Sequence, residues 1–166
     1  MRVLGLDPSS QSTGFGIIEF TDDKYRVLGY GTIKPSRRLL FHDKLNEIKL
    51  AVEKLIEQHN PEEVAIENPF YAHNIKTAIT LGQVRGAVLV AIAGRGAALF
   101  EYSPLEIKKA VTGYGQDDKN QVKVMVKALL HLDDAELEED ASDALACAFC
   151  HLNTRLYQKN IEESKI

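Results

Sequence analysis

The sequence predicts a single α/β domain in which a five-stranded mixed sheet is flanked by helices. Short runs rich in Val, Ile, Phe and Tyr alternate with longer segments whose apolar residues recur at helical spacing. Their order along the chain is βββαβαβααα, which is typical of layered α/β folds. The 166 residues, 45% of them hydrophobic, suffice for one domain with its own core.

Three predicted strands begin the chain. The first two, residues 3–6 and 14–20, are separated by a turn-forming segment at 8–12. The third, residues 25–33, follows a polar turn at 21–24. Because short links favour antiparallel neighbours, we predict a meander.

The later elements alternate helix and strand and then end in helices. The first helical pattern stops at Asn60-Pro61, and the strand after it should lie parallel to the first strand, since a helix joins them. Ser103 and Pro104 are typical of a helix cap and first helical residue. We predict helices at residues 39–56, 77–93, 105–111, 118–130 and from Asp140 or Ser142 to 157, with strands at 64–66 and 97–102. We assign the domain to residues 1–158 and a short C-terminal tail to residues 159–166.

The net charge of −4 argues against a nucleic-acid-binding protein at first sight, but the charge is unevenly distributed. Residues 131–143 hold seven acids and no Lys or Arg, which leaves the rest of the chain at +3. Basic residues gather in segments 34–49 and 108–127. Local fields govern phosphate contact more than net charge does, although a solvated helix face explains any single lysine equally well.

The composition favours a cytoplasmic protein with no membrane partner. We find no 18-residue apolar run, and the apolar start of the chain is too short for a signal peptide. Two cysteines, Cys147 and Cys150, cannot form a disulfide framework. With His151 they spell a haem-attachment pattern, but inside an apolar helix we interpret them as packed core thiols.

Four carboxylates are placed as a metal site requires. Asp7 directly follows the first strand and Glu67 directly follows the fourth, and a proline ends each strand. Since these strands are predicted to be parallel neighbours, both side chains emerge at one carboxyl-terminal edge, where α/β sheets hold their ligands. Asp140 and Asp143 are three residues apart at a helix start and can point the same way.

Such a cluster predicts a nuclease that uses divalent cations. Four negative charges raise one another's pKa values unless cations neutralise them. Two Mg²⁺ ions about 3.5–4 Å apart can stabilise both the attacking and the leaving oxygen of a phosphodiester displacement. Taken alone, Asp7 is also typical of a strand-end turn and Asp140 of a helix N-cap. Glu67 and Asp143 are less easily explained in those ways.

The motifs around these acids resemble the bacterial RuvC crossover-junction endodeoxyribonucleases. The similar segments are Gly5-Leu6-Asp7-Pro8, Ala65-Ile66-Glu67-x-x-Phe70, Leu81-Gly82-x-x-Arg85-Gly86 and Asp140-Ala141-Ser142-Asp143-Ala144-Leu145-Ala146. The likeness extends from Met1 to about Tyr157. It implies a ribonuclease H-like fold, a homodimer, and paired symmetric nicks in a four-way (Holliday) DNA junction that leave 5′-phosphate and 3′-hydroxyl ends. It also implies two Mg²⁺ per site, replaceable by Mn²⁺, and work beside a RuvAB-type branch-migration complex in homologous recombination and DNA repair.

The resemblance assigns roles to individual residues. Asp7, Glu67, Asp140 and Asp143 match the family's catalytic, metal-binding acids, whereas Lys108 and Lys119 match its basic residues near the scissile phosphate. Phe70 matches an aromatic residue near the junction centre, which can stack on bases, and we take Arg85 as a further DNA contact.

Ser9 and the helix at residues 77–93 are further features of the sequence that bear on the site and on assembly. Ser9 stands where the family has glycine, and a positive φ at this position would strain the turn beside Asp7. The apolar helix at residues 77–93 contains small residues and is either a dimer surface or a buried core helix.

Three other functions are compatible with parts of the sequence. An RNase H-like nuclease acting on RNA or RNA–DNA hybrids must sense the 2′-hydroxyl, and we identify no residue for that task. An actin-like ATPase shares only Gly5–Asp7 and needs a second subdomain with its own phosphate loop. A non-catalytic junction-binding module does not explain the intact set of four acids.

Overall fold

The computed structural model describes residues 1–68, 74–115, 118–133 and 135–164, and a single mixed sheet organises them. The strands lie in the order β3-β2-β1-β4-β5. Antiparallel pairing joins β1 to β2 and β2 to β3, whereas β4 is parallel to both β1 and β5. Their bounds are β1 (Arg2–Asp7), β2 (Thr13–Thr21), β3 (Lys24–Ile33), β4 (Glu63–Glu67) and β5 (Ala98–Tyr102). The predicted meander and the predicted parallel pair are both confirmed.

Five helices occupy the described residues: α1 (Phe41–His59), α2 (Ile75–Gly94), α3 (Pro104–Thr112), α4 (Lys119–Leu129) and α5 (Glu139–Glu163). As predicted, Ser103 caps α3 and Pro104 begins it, with Glu106 completing a capping box. Asn60 ends α1 in the left-handed conformation at φ 46°. Helix α5 continues past its predicted end at residue 157, so most of the segment that we separated as a tail is helical.

The helices cover both faces of the sheet. Leu4, Leu6 and Ile66 pack against α1 and α2, and Val3 and Ala65 on the opposite face pack against α3, α4 and α5. The central strands are therefore buried on both sides, as expected for strands flanked by helices in an α/β fold. This three-layer arrangement leaves the ends of β1 and β4 open for a functional site.

Two glycines allow α5 to lie directly on the sheet. A Cβ atom on Gly5 would lie 2.1 Å from the backbone oxygen of Ala144, and one on Gly14 would lie 1.9 Å from that of Asp140. Any side chain at either position would push α5 away. Because Gly14 pairs with Asp7 across the β1–β2 ladder, this close approach brings the first turns of α5 to the edge that carries Asp7.

The Cys-x-x-Cys-His segment is part of the core. Cys147 and Cys150 are both buried, which agrees with the interpretation as packed thiols. His151 is fully buried, and each of its ring nitrogens has a protein partner. Its Nδ1 lies 2.7 Å from the Tyr102 hydroxyl and its Nε2 lies 2.5 Å from the Glu63 carboxylate.

Helix α2 combines a buried face with an exposed apolar face. By length and composition alone it could cross a membrane, a run that the sequence-based prediction did not identify. Val84, Val88 and Ile92 are buried in the core that α2 shares with α1, whereas Ile79 and Val90 are 57% and 60% exposed. Of the two predicted roles for this helix, core burial therefore holds for only one of its faces, and the role of dimer surface stays a prediction for the other.

Candidate active site

Strands β1 and β4 carry Asp7 and Glu67 to the same edge of the sheet. Leu6 lies opposite Ile66 in the parallel ladder, and each acid is the next residue along its strand. Asp143 reaches this edge from the first turns of α5, which the glycines of β1 and β2 hold against the sheet. The arrangement assembles carboxylates from three separate elements.

A cavity of about 270 Å³ lies at this edge. Five of the eight predicted site residues line it: Asp7, Glu67, Lys108, Lys119 and Asp143. Pro104, Ile107 and Val122 form its apolar wall. Asp140 lines an adjoining groove instead, yet its negative charge contributes to raising the pKa of Asp7.

The carboxylates disfavour one another's ionisation. Burial raises the pKa of Asp7 to about 7, and the negative charges of Glu67, Asp143 and Asp140 add to the effect. Burial likewise raises the pKa values of Glu67 and Asp143. With its pKa raised to about 7, the Asp7 carboxyl is a poor anion at neutral pH, and a cation at the site would favour its charged form.

Lys119 supplies positive charge beside these acids. Its Nζ atom lies 3.2 Å from Asp143 Oδ2 and 2.8 Å from Glu139 Oε1. The hydrogen bond to Glu139, followed by the charge of Asp143, raises the pKa of the lysine above its usual value. The side chain is therefore an ammonium at neutral pH, which can donate to a phosphate but cannot accept a proton.

Glu139 is a contact of the site that the sequence-based prediction missed. Its spacing of four residues before Asp143 puts both side chains on one face of α5, which is the only sequence signal for it. Its partner Lys119 lies on another helix, so the pairing depends on how α4 packs against α5.

Arg85 directs its guanidinium into the protein at the base of the site. It donates from Nη1 to the backbone oxygen of Glu67 at 2.9 Å and lies 2.6 Å from the Glu101 carboxylate through Nη2. The Asn68 amide also donates to Glu101, at 3.2 Å. These contacts link the residues that end β4 to α2 and β5, so Arg85 is placed to fix the orientation of Glu67.

The turn after Asp7 tolerates serine without strain. Thr13 Oγ1 accepts a hydrogen bond from the Ser9 backbone N–H at 3.1 Å and donates to the Ser9 backbone oxygen at 2.7 Å. Within the described ranges, the residues other than glycine with positive φ are Asp22, Asp23, Asn60 and His131. Ser9 is not among them, so the expected strain beside Asp7 is absent. Phe70 lies outside the described residues.

The donor set fits a hard divalent cation, although the side chains do not yet converge on one point. No three Asp, Glu, His or Cys residues in the described ranges are grouped closely enough to hold an ion as they stand. Asp7, Glu67 and Asp143 offer only oxygen atoms, which Mg²⁺ prefers. Burial, reinforced at Asp7 by the neighbouring carboxylates, raises their pKa values, and a bound cation would favour the charged forms.

Residues 3–151 match the family model described as crossover junction endodeoxyribonuclease RuvC. The protein of that name from Halothermothrix orenii is 42% identical over 160 residues, which cover 96% of this chain and 97% of the relative. The one from Caldanaerobacter subterraneus is 42% identical over 154 residues, 93% of each chain.

Solved structures are similar over nearly the whole chain. Thermus thermophilus RuvC in complex with a Holliday junction substrate superposes with a TM-score of 0.86 at 31% identity, covering 92% of this chain and 93% of that one. The yeast mitochondrial Holliday junction resolvase Ydc2 has a TM-score of 0.65 at 12% identity and covers 89% of this chain and 77% of its own, a likeness of fold alone.

Proposed function

The chain belongs to the crossover junction endodeoxyribonuclease RuvC family, and we propose that it resolves four-way DNA junctions by paired symmetric nicks. It has the ribonuclease H-like fold predicted for it. In this proposal each nick leaves a 5′-phosphate and a 3′-hydroxyl, and the enzyme acts in homologous recombination and DNA repair in the cytoplasm, beside a RuvAB-type branch-migration complex.

The observation that carries the proposal is the cavity that joins Asp7, Glu67 and Asp143 to Lys108 and Lys119. Buried carboxylates with raised pKa values have no structural benefit of their own, because an apolar or amide side chain would be more stable at the same position. Lysines at the rim would attract the phosphate that the acids repel. The combination suits a phosphodiester held between metal ions on the carboxylates and the two lysines.

We assign the metal ligands to Asp7, Glu67 and Asp143, with Asp140 contributing from the adjoining groove. Nucleases of this family depend on divalent metal ions, and we propose two Mg²⁺ per site, with Mn²⁺ as a substitute. When bound, the ions supply positive charge to both reacting oxygens of the phosphodiester.

The two lysines act on the DNA rather than on the metal. Lys119 stays cationic through Glu139 and Asp143, so it can donate to the scissile phosphate as negative charge develops there. Lys108 lies on α3 across the same cavity and can contact a neighbouring phosphate. Phe70 as a residue that stacks on bases at the junction centre stays a prediction from the family resemblance. For Arg85 the internal contacts favour a positioning role over the predicted DNA contact.

The exposed face of α2 is the proposed homodimer surface. A two-fold symmetric junction needs two cuts at related points, which an isologous dimer supplies. Ile75, Ile79, Gly86 and Val90 recur at spacings that put them on one side of the helix, and a Cβ atom on Gly86 would meet no neighbouring atom within 4 Å. A glycine at the surface permits close approach of a partner helix.

Substitution at Gly86 tests the dimer. Gly86→Leu has room within the protomer and improves helix propensity, so the protomer should stay folded, while the bulk should push a partner helix away. We expect a monomer by light scattering and loss of paired nicking. Glu53→Gln on the side of α1 is a control that should leave the dimer intact. A fully dimeric Gly86→Leu protein would exclude this face.

A mapped cleavage assay tests the function itself. A mobile four-way junction, a linear duplex and an RNA–DNA hybrid are incubated with Mg²⁺ or with EDTA, and the product ends are identified. We expect nicks at symmetric positions of the junction only, with Mg²⁺ only, bearing 5′-phosphates. Preferential cutting of the hybrid would favour the RNA-directed alternative. Junction binding without any cleavage would favour a non-catalytic module.

A further inference from the structure

We propose that a basic cavity beside the active site, lined by Lys34, Arg37 and Lys44 together with Ser10, Gln11 and Ser12, binds the phosphodiester backbone of a junction arm outside the point of cleavage. The inference rests on the proposed function and names a second DNA contact region for it. The cavity has a volume of about 560 Å³. No carboxylate contributes to its wall within the described residues.

A row of neighbouring cavities, here called the groove, links this basic cavity to the catalytic carboxylates through shared wall residues. The next cavity along, of about 380 Å³, shares Ser10, Gln11 and Ser12 with the basic cavity and has Asp140 in its wall. Through Leu81 it meets a smaller cavity of about 130 Å³ that contains Asp7 and Glu67. Those two acids also line the catalytic cavity. The shared wall residues therefore make the basic cavity a near neighbour of the carboxylates, which is the position that a contact to the flanking strand requires.

The charges along this groove suit a polyanion. Of the three cations, Lys34 forms an ion pair with Glu138, and within the described residues neither Arg37 nor Lys44 has such a partner. Arg37 is exposed and Lys44 is half-buried, so both keep a positive charge available for ligands. Although the net charge of the chain is −4, the local positive charge of this cavity attracts the phosphates of DNA that extends beyond the acidic site.

The wall between the basic cavity and the Asp140 groove offers hydrogen bonds. Ser12 lines both cavities, and its hydroxyl oxygen is buried with no partner among the described residues. A buried hydroxyl without a partner is costly, and rotation of the Ser12 side chain about χ1 would bring the hydroxyl to a ligand oxygen in either cavity. A wall of cations with hydroxyl and amide groups is typical of contacts to phosphate rather than to bases.

The double variant Arg37→Gln/Lys44→Gln tests the proposal, with Lys24→Gln/Lys54→Gln as a control of equal charge change. Lys24 is exposed at the far end of the β2–β3 hairpin and Lys54 is exposed on α1, and neither lines the groove. Binding to a four-way junction is measured in EDTA over a range of KCl concentrations. We expect the cavity variant to bind about tenfold more weakly and to lower the slope of log K against log salt by about 1.8, because about 0.9 counterion is released per phosphate contact.

Neutral methylphosphonates locate the contact. They are placed one at a time along an arm. At the phosphates that contact the cavity, they should weaken junction binding by the wild type and leave binding by the cavity variant unchanged. Affinity and salt slope equal to those of the control variant would overturn the inference. So would competition by inorganic phosphate alone at matched ionic strength, which would indicate a small-anion site.

The nick position separates this inference from the proposed function. At saturating enzyme and with Mg²⁺, the cavity variant should cut at the same positions as the wild type, since the catalytic cavity is untouched. If the wild type fails to cut junctions, the proposed function fails. If the wild type cuts and the cavity variant binds normally, only the arm contact fails.

Discussion

Strand β4 carries a glutamate at each end, and the two have opposite surroundings. Glu63 begins the strand and Glu67 ends it. The pKa of Glu63 is lowered, chiefly by its hydrogen bonds to Arg155, whereas burial raises the pKa of Glu67. The two glutamates are four residues apart on one strand. The surroundings therefore stabilise the anionic form of Glu63 and destabilise the anionic form of Glu67.

At the Glu63 end the side chains of Glu63, His151, Arg155 and Tyr102 pair with one another. The carboxylate accepts from Arg155 Nε at 2.8 Å and from His151 Nε2 at 2.5 Å, and Tyr102 donates to the other nitrogen of His151 at 2.7 Å. Burial lowers the pKa of His151, so the ring is neutral and these two contacts define one tautomer. Arg155 also lies over the Phe100 ring at 4.6 Å. The network is a structural connection between α5, β4 and β5.

At the Glu67 end the charges are left partly unbalanced. Asp7, Glu67 and Asp143 share the positive charge of Lys119, which also binds Glu139. Perturbed acids in a cleft are typical of functional sites, and satisfied ones are typical of scaffolding. In the proposed function the Glu67 end therefore serves catalysis and the Glu63 end serves stability, and each role can be tested.

The largest expected effect comes from Asp7→Asn, which keeps the shape of the side chain and removes its charge. If the carboxyl edge exists to hold cations, junction cleavage should fall by about 10²–10³-fold or more. Binding to the junction in EDTA should be retained, because fewer negative charges face the DNA. Asp43→Asn on α1 is the matched control and should cut normally. Full cleavage by Asp7→Asn would refute the metal role.

Lys119→Ala should have a smaller effect on cleavage. Loss of one positioned donor to the phosphate is expected to slow single-turnover cleavage by about ten- to a hundredfold, most clearly at limiting Mg²⁺. Lys119→Arg retains the charge and should recover part of the rate, while Lys127→Ala, two turns along α4, should have none of these effects. An unchanged rate at limiting Mg²⁺ would remove Lys119 from the site.

The sequence predicted the shared edge of the carboxylates better than the surroundings of these residues. The parallel pairing of β1 and β4 followed from the intervening helix, and it places Asp7 and Glu67 together because side chains at equivalent strand ends share an edge. The Lys119–Glu139 contact could not be predicted, since it depends on the packing of α4 against α5. Gly5 and Gly14 are the sequence features that indicate the close packing of α5, because glycine within a strand often marks close approach of another backbone.

Two further features depend on tertiary structure in the same way. Nothing local in the sequence distinguishes the inward-facing Arg85 from a DNA-contacting arginine, because its acceptors are a strand-end carbonyl and a carboxylate on β5. Likewise, the basic cavity joins the β1–β2 turn to the segment between β3 and α1, which are distant in sequence. The distribution of charge along the chain indicated the positive segment at residues 34–49, but it did not indicate the cavity that this segment forms with the β1–β2 turn.

Glu63→Gln tests the opposite end of β4 and should affect stability rather than cleavage. We expect the free energy of unfolding to fall by about 1–3 kcal/mol, because Arg155 and the buried His151 lose their anionic acceptor. Glu57→Gln, which breaks the exposed pair with Arg95 at 3.4 Å, should cost less than about 0.5 kcal/mol. Cleavage per folded molecule should be unchanged, and both quantities can be followed by urea titration and junction assay.

The pH dependence of this effect has a defined sign. Because the pKa of Glu63 is lowered in the folded state from its ordinary value of 4.5, its contribution is fully present above pH 4.5 and is lost as the pH falls through the folded-state value. The difference between the wild type and Glu63→Gln should therefore persist at neutral pH and narrow only in acid. A difference that grew as the pH fell would contradict the network.

An effect on stability with the opposite sign is expected at Asp7 without metal. Its pKa is raised from 3.8 to about 7 on folding, so the folded protein binds the extra proton and loses stability as the pH rises through that interval. In EDTA at pH 8, Asp7→Asn should be more stable than the wild type by about 1–3 kcal/mol, and the gain should shrink as the pH falls towards about 5. Mg²⁺ should raise the melting temperature of the wild type more than that of the variant, because only the wild type keeps the full set of ligands. Destabilisation of Asp7→Asn in EDTA at pH 8, as expected for Glu63→Gln, would mean that contacts stabilise the charge of Asp7. The site at the Glu67 end of β4, to which Asp7 belongs, would then not differ in kind from the Glu63 end.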